Sequence, residues 1–186
     1  RATPLCEQGR LVLSLCDEDL AGRAGLECLD AESGEVRWQI STDASVKNSA
    51  VSAGDGCLTA VSVTGRLYLV DGNAGCVQWE ADLPGFPERW IYTAPTVADG
   101  VVYAGGKKGY GAYSVETGAR QWYSELDSQD NWACYARPQV YGDLVIALIQ
   151  RRGLVALHRQ SGEIVWEQSL GVEYQYSTPV VTGDLL

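Results

Sequence analysis

The sequence predicts an all-β chain: a partial β-propeller of four-stranded antiparallel blades, with four complete repeats and the start of a fifth. Three observations predict it. Trp38, Trp79, Trp122 and Trp166 each follow a glycine by four residues, in Gly34-Glu-Val-Arg-Trp38, Gly75-Cys-Val-Gln-Trp79, Gly118-Ala-Arg-Gln-Trp122 and Gly162-Glu-Ile-Val-Trp166. Successive tryptophans stand 41, 43 and 44 residues apart, and self-similarity at about 40–45 residues marks a propeller or solenoid. No stretch sustains apolar spacing at three and four residues between turn signals, so no helix is expected.

The elements follow in order within each unit, as strands a, b, c and d. Strand a begins at Ala2-Thr-Pro4, Ser49-Ala-Val51, Thr93-Ala-Pro95 and Ala136-Arg-Pro138. Proline is tolerable there because the first residue of a strand need not donate to the ladder. Turns at Gly9, Gly56, Gly100 and Gly142 lead into strand b, at Leu11–Leu15, Cys57–Val63, Val101–Ala104 and Leu144–Ile149. Strand c follows in Gly25-Leu-Glu-Cys-Leu, Arg66-Leu-Tyr-Leu-Val, Tyr110-Gly-Ala-Tyr and Leu154-Val-Ala-Leu. These runs are apolar and β-branched, and turn residues bound them. A tight turn closed by Gly34, Gly75, Gly118 or Gly162 then delivers strand d with its tryptophan; glycine takes a left-handed φ there without steric cost.

The repeats divide at about 1–45, 46–89, 90–132 and 133–173. A further repeat starts at 174–186 and breaks off inside its second strand. A halved hairpin would leave an unpaired edge, so the chain is expected to be a segment of a longer propeller. Missing blades or a second copy would complete its ring.

The residues eight before each tryptophan are Asp30, Asp71, Ser114 and His158, and two before those stand Cys28, Leu69, Ala112 and Ala156. The pattern small-x-Asp, then glycine, then tryptophan resembles the tryptophan-docking motif of the pyrroloquinoline-quinone-type (PQQ-like) β-propeller repeat family. The run from Ala112 to Trp122 is a good copy apart from Ser114. The run from Ala156 to Trp166 carries His158 in the Asp slot, and the first two runs replace the small residue. The resemblance covers almost the whole chain. It implies a fold more firmly than an activity, because relatives include quinoprotein dehydrogenases, the lipoprotein that scaffolds outer-membrane barrel insertion, and propellers appended to phosphoesterases or kinases. It also implies an extracytoplasmic location and a structural role for the four Gly–Trp pairs, each indole wedged between blades and burying on the order of 150–250 Å².

Composition narrows the partners. The 186 residues are 46% hydrophobic, with a single Phe and no Met, so cores are expected from Val, Leu, Ala and aromatic wedges. A net charge of −10 and an isoelectric point near 4.5 argue against nucleic acid and against anionic membrane surfaces. No apolar run is long enough to span a membrane. The six cysteines include no C-x-x-C pair, and with His158 the single histidine no zinc site is expected. Cys28 and Cys57 read as small core residues, and the cysteine content weighs against an oxidising compartment.

Blade geometry sorts the loops. The d–a and b–c connections emerge on one face, and the short a–b and c–d turns on the other. The d–a connections are long and differ between blades, and they hold Trp90, Trp132 and Tyr174, large aromatics that the repeat does not require. Loops on a rigid scaffold are where binding resides. The same face collects Lys47, Arg66, Arg89, Lys107, Lys108, Arg137, Arg151 and Arg152, as a solvated rim or as a site for a small anionic ligand or protein partner. Just before strand a stands a slot of Asn48, Tyr92, Tyr135 and Tyr176. In such propellers strand a is innermost, so these side chains either plug the channel mouth or face a ligand. Trp90 and Trp132 are expected as interface anchors.

Nothing marks a catalytic centre. His158 sits in the Asp slot of a turn, on the face opposite the long loops, and no G-x-S-x-G, Walker loop or H-E-x-x-H occurs. The quinoprotein dehydrogenases use adjacent cysteines over the cofactor, and no two cysteines are adjacent here. The expectation is a non-catalytic scaffold or binding module without a cofactor, part of a larger protein and by family analogy open to an appended phosphoesterase. The alternative is a fragment of an oxidoreductase that binds PQQ and calcium.

Overall fold

The computed structural model describes residues 2–16, 22–84, 91–106, 108–126, 135–171 and 177–180. Its sixteen strands form four separate four-stranded antiparallel sheets, each built from consecutive strands. The first holds β1 (Leu5–Glu7), β2 (Arg10–Leu15), β3 (Gly25–Asp30) and β4 (Val36–Ser41). The second holds β5 (Val51–Gly54), β6 (Cys57–Val61), β7 (Arg66–Asp71) and β8 (Cys76–Asp82). In the third are β9 (Thr96–Ala98), β10 (Val101–Gly106), β11 (Gly109–Ser114) and β12 (Arg120–Glu125), and in the fourth β13 (Gln139–Tyr141), β14 (Leu144–Ile149), β15 (Gly153–His158) and β16 (Ile164–Gln168). Strand a thus starts after the proline in the three blades that carry Pro4, Pro95 or Pro138 there, later than the sequence suggests. Proline cannot donate to the ladder, and pairing begins where donors resume.

The core lies between blades, one cluster per interface. Val12, Leu26, Cys28 and Trp38 of the first blade pack on Leu58, Ala60, Tyr68 and Val70 of the second. Val61 and Leu67 of the second blade meet Val102, Ala104 and Tyr113 of the third. Tyr103, Tyr110, Ala112 and Trp122 of the third meet Val145, Ala147, Val155 and Leu157 of the fourth. In the second and third blades, strands b and c serve two interfaces through alternate residues. Both their faces are therefore buried, and they read as nearly continuous apolar runs.

Trp38, Trp79 and Trp122 each tie their blade to the next. The indole N–H donates to a backbone carbonyl in the following c–d turn: Trp38 to Gly72 at 2.9 Å, Trp79 to Val115 at 2.7 Å and Trp122 to Arg159 at 2.9 Å. The indole also lies against the glycine that closes that turn. A Cβ at Gly118 would come within 2.7 Å of the Trp79 ring, and Gly75 and Gly162 stand likewise beneath Trp38 and Trp122. The glycine is required twice over, by its left-handed φ and by the ring resting on it.

A β-bulge recurs where strands c and d pair, in all four blades. Cys28 faces Trp38 but Leu29 faces Val36, and the same shift occurs after Leu69, Ala112 and Ala156. The unpaired residue directly precedes each tryptophan. A bulge bends and twists its strand, and its fixed position gives every indole the same setting. Arginines add clamps on this turn face. Arg10, 3% exposed, donates to Asn73 at 2.8 Å in the next blade. Arg159 donates to the Tyr103 hydroxyl at 2.9 Å and to Asp99 at 2.6 Å in the preceding one.

Candidate functional site

The site is built on the opposite face, where strand heads and long connections meet. The inner strands β5, β9 and β13 run beside one another. The first connection is fixed by backbone bonds to both flanking blades, from Val46 N–H to Leu15 and from Val63 N–H to Ser45. Side chains at the strand heads add to this. The Asn48 amide donates to Val61 and the Thr93 hydroxyl to Gly105, each at 2.8 Å and each to the end of its own blade's strand b. The slot before strand a is therefore held on rigid backbone.

Between these heads opens a cavity of about 600 Å³, bordered by Asn48, Ser49, Tyr92, Tyr135, Arg137 and Thr178 among others. The Tyr92 and Tyr135 rings stack with centroids 5.4 Å apart and planes 14° from parallel. The Lys47 ammonium sits 5.3 Å from the Tyr92 centroid. Asn48 is 3% exposed, and its carbonyl oxygen has no hydrogen-bond donor among the described residues. The Arg137 Nε–H donates to the Thr96 hydroxyl at 2.9 Å, and that hydroxyl donates onward to the Pro138 carbonyl. Partial burial pushes the guanidinium pKa of Arg137 down.

Of the residues expected at this face, Lys47, Asn48, Tyr92, Tyr135 and Arg137 are brought together. Arg89, Trp90, Lys107, Trp132, Tyr174 and Tyr176 lie outside the described residues, as does Cys134. The positive rim is partly neutralised. Arg66 pairs with Asp82 at 2.9 Å and Glu80 at 3.5 Å, and Arg152 donates to Glu167 at 2.9 Å. The carboxylates come from the d strand of the same blade, directly beside the b–c turn. Sequence reasoning missed Ser49 and Thr178 at the cavity and Thr96 beside Arg137, since small hydroxyl residues carry no signal in a β-rich chain. It also missed Asp43, which accepts from the Tyr68 hydroxyl at 2.8 Å and from Thr64. Burial pushes the Asp43 pKa up, but the hydroxyls of Thr64, Tyr68 and Ser62 and the charge of Arg66 hold it below the ordinary range.

On the other face, the slot before the c–d turn caps that turn in the first three blades. Asp30 accepts from the N–H groups of Glu32 and Ser33, and Asp71 from those of Asn73 and Ala74, at 2.8–3.0 Å. Backbone donors, joined at Asp30 by Arg37, hold both carboxyls below the usual range. His158 occupies the same place, with Nδ1 3.3 Å from the Ser161 hydroxyl, and faces no cavity residue.

Chemically the cavity offers one guanidinium, stacked phenol rings and a buried amide, with the Lys47 ammonium over the Tyr92 ring. That set suits recognition of a planar or anionic group. It suits a calcium-held quinone poorly: calcium favours carboxylate oxygens, and the described lining residues supply no carboxylate while Arg137 adds positive charge.

The chain matches the family described as outer membrane protein assembly factor BamB over residues 21–184. It is 32% identical over 152 residues to the outer membrane protein assembly factor BamB of Burkholderia pseudomallei (strain K96243), covering 80% of this chain and 38% of that protein. The crystal structure of BamB from Moraxella catarrhalis superimposes with a TM-score of 0.66 at 22% identity, covering 89% of this chain and 47% of that one. The quinohemoprotein alcohol dehydrogenase of Comamonas testosteroni gives 0.68 at 16% identity, covering 90% and 34%. At such identities the two structures establish the propeller fold alone. The chain spans less than half the length of these relatives.

Proposed function

The chain belongs to the family of the outer membrane protein assembly factor BamB, and from that premise we propose that it is the propeller part of a larger extracytoplasmic protein. In this reading it binds other proteins and performs no chemistry of its own. The partner class is a component of outer-membrane protein assembly, by analogy with the names of the relatives. The observation that carries the reading is the contrast at the strand heads. Tyr92, Tyr135 and Arg137 converge on a cavity the repeat does not require, with Lys47 over Tyr92, while the one histidine is a turn residue on the far face. Propeller faces built this way recognise through fixed side chains on rigid backbone.

Capture of envelope assembly proteins by the full-length protein tests the reading. Trp90→Ala combined with Trp132→Ala is expected to reduce capture at least tenfold while the blades stay folded by circular dichroism. Unchanged capture would remove these tryptophans as anchors. Titration of the full-length protein with quinone and calcium, followed by cofactor absorbance, tests the oxidoreductase alternative; stoichiometric uptake would overturn the scaffold reading.

A further inference from the structure

We propose that the cavity at the strand heads is a carboxylate-binding site, in which the Nη groups of Arg137 hold the acid beside the Tyr92–Tyr135 stack. The first argument is what Arg137 lacks. Arg37, Arg66, Arg152 and Arg159 all pair with Asp or Glu, in a chain with 24 acidic residues. Arg137 is partly buried yet pairs with none among the described residues. An unpaired, partly desolvated charge is unfavourable, and an anion entering the cavity supplies the missing partner.

The second argument is geometry. Nε of Arg137 is engaged by Thr96, whose hydroxyl is itself oriented by the Pro138 carbonyl. The guanidinium is thereby anchored at one edge. Its Nη fork, the part that matches a carboxylate in bidentate fashion, is committed to no described residue. The third argument comes from the repeat. The equivalent position in the other units holds Thr3, Ala50, Ala94 and Thr178, small residues in every case, so the blade itself does not need an arginine. Stacked rings beside the fork provide a flat apolar surface for the body of the acid.

The ligand is an organic carboxylate, either a free small acid or an acidic side chain or C-terminus of a bound polypeptide. The biological role of the polypeptide form rests on the binding-module reading above; the existence of the site does not. Calorimetric titration of the full-length protein with benzoate against benzamide, and with capped Gly-Asp-Gly against capped Gly-Asn-Gly, tests it. At least one acid is expected to bind tenfold or more tighter than its neutral amide, with the advantage shrinking as salt rises. Arg137→Gln is expected to abolish that advantage. Preference for the peptide acid assigns a polypeptide source, and preference for benzoate a free acid. The acid–amide comparison on the unmodified protein stands even if Arg137→Gln disturbs the contact with Thr96. Equal binding of acid and amide, or an advantage that survives in a folded Arg137→Gln protein, would overturn the proposal. Partner capture persisting without carboxylate preference would sink this inference and leave the binding module standing. Carboxylate preference without capture would do the reverse.

Discussion

The two faces of the blades are built on opposite principles. On the turn face each of the three blade interfaces repeats one device: a tryptophan, a bulge before it, a carbonyl that accepts its N–H and a glycine beneath its ring. On the loop face no two connections are alike, and the side chains that converge there recur only in part. Arg137 replaces residues that are small elsewhere, and Tyr92 and Tyr135 share their slot with Asn48. The difference teaches where to look. A constraint that recurs at every interface serves ring assembly, and a side chain that departs from its slot is free to serve something else.

The largest expected effect breaks the turn face at one glycine and spares it at another. Gly34 and Gly118 have nearly the same left-handed φ, +73° and +70°. Nothing stands within 4 Å of a Cβ at Gly34, whereas one at Gly118 meets the Trp79 ring. Gly34→Ala should therefore cost only the backbone strain, about 1–2 kcal/mol. Gly118→Ala adds overpacking of about 1–3 kcal/mol and should lower the melting temperature further. Equal losses in thermal unfolding would show that the ring contact contributes nothing. Next in size is Trp122→Phe, which keeps an aromatic wedge but leaves the Arg159 carbonyl without its donor. A loss of about 2 kcal/mol is expected, measured by chemical denaturation.

The tryptophan periodicity made the blades legible, because a period of this length has few structural meanings. The glycines were legible as turn residues, but their second role was not. That role depends on a ring from the preceding blade about forty residues away, and local pattern carries no record of it. The bulge escaped for a related reason: an extra residue in strand d changes pairing without changing composition. At the site, the aromatic slot was visible as a position in the repeat. The Arg137–Thr96 contact was not, since it joins the heads of two blades whose spacing is set only on folding.

Acid should separate the blades from one another on the turn face. Asp30 and Asp71 cap the first two c–d turns with carboxylates, while Ser114 caps the third and His158 meets only the Ser161 hydroxyl in the fourth. Both folded pKa values are lowered from the unfolded value, so the stability they add is fully present above about pH 4 and is lost as pH falls through the folded values. The double variant Asp30→Ser, Asp71→Ser should be less stable than the parent at neutral pH and should converge with it towards pH 2. Parallel melting curves across that range would mean the capping charges contribute nothing.

The smallest expected effect on stability lies at the loop face. Tyr135 is 37% exposed and stacks on Tyr92 at the edge of the cavity. If the pair serves recognition, Tyr135→Ala should change unfolding free energy by no more than about 1 kcal/mol while weakening carboxylate binding several-fold. If the pair is a channel plug, the variant should unfold as readily as Gly118→Ala and bind acids unchanged when folded. Measuring both quantities on one protein decides between the two, because a plug and a recognition surface predict opposite rankings of the same two numbers.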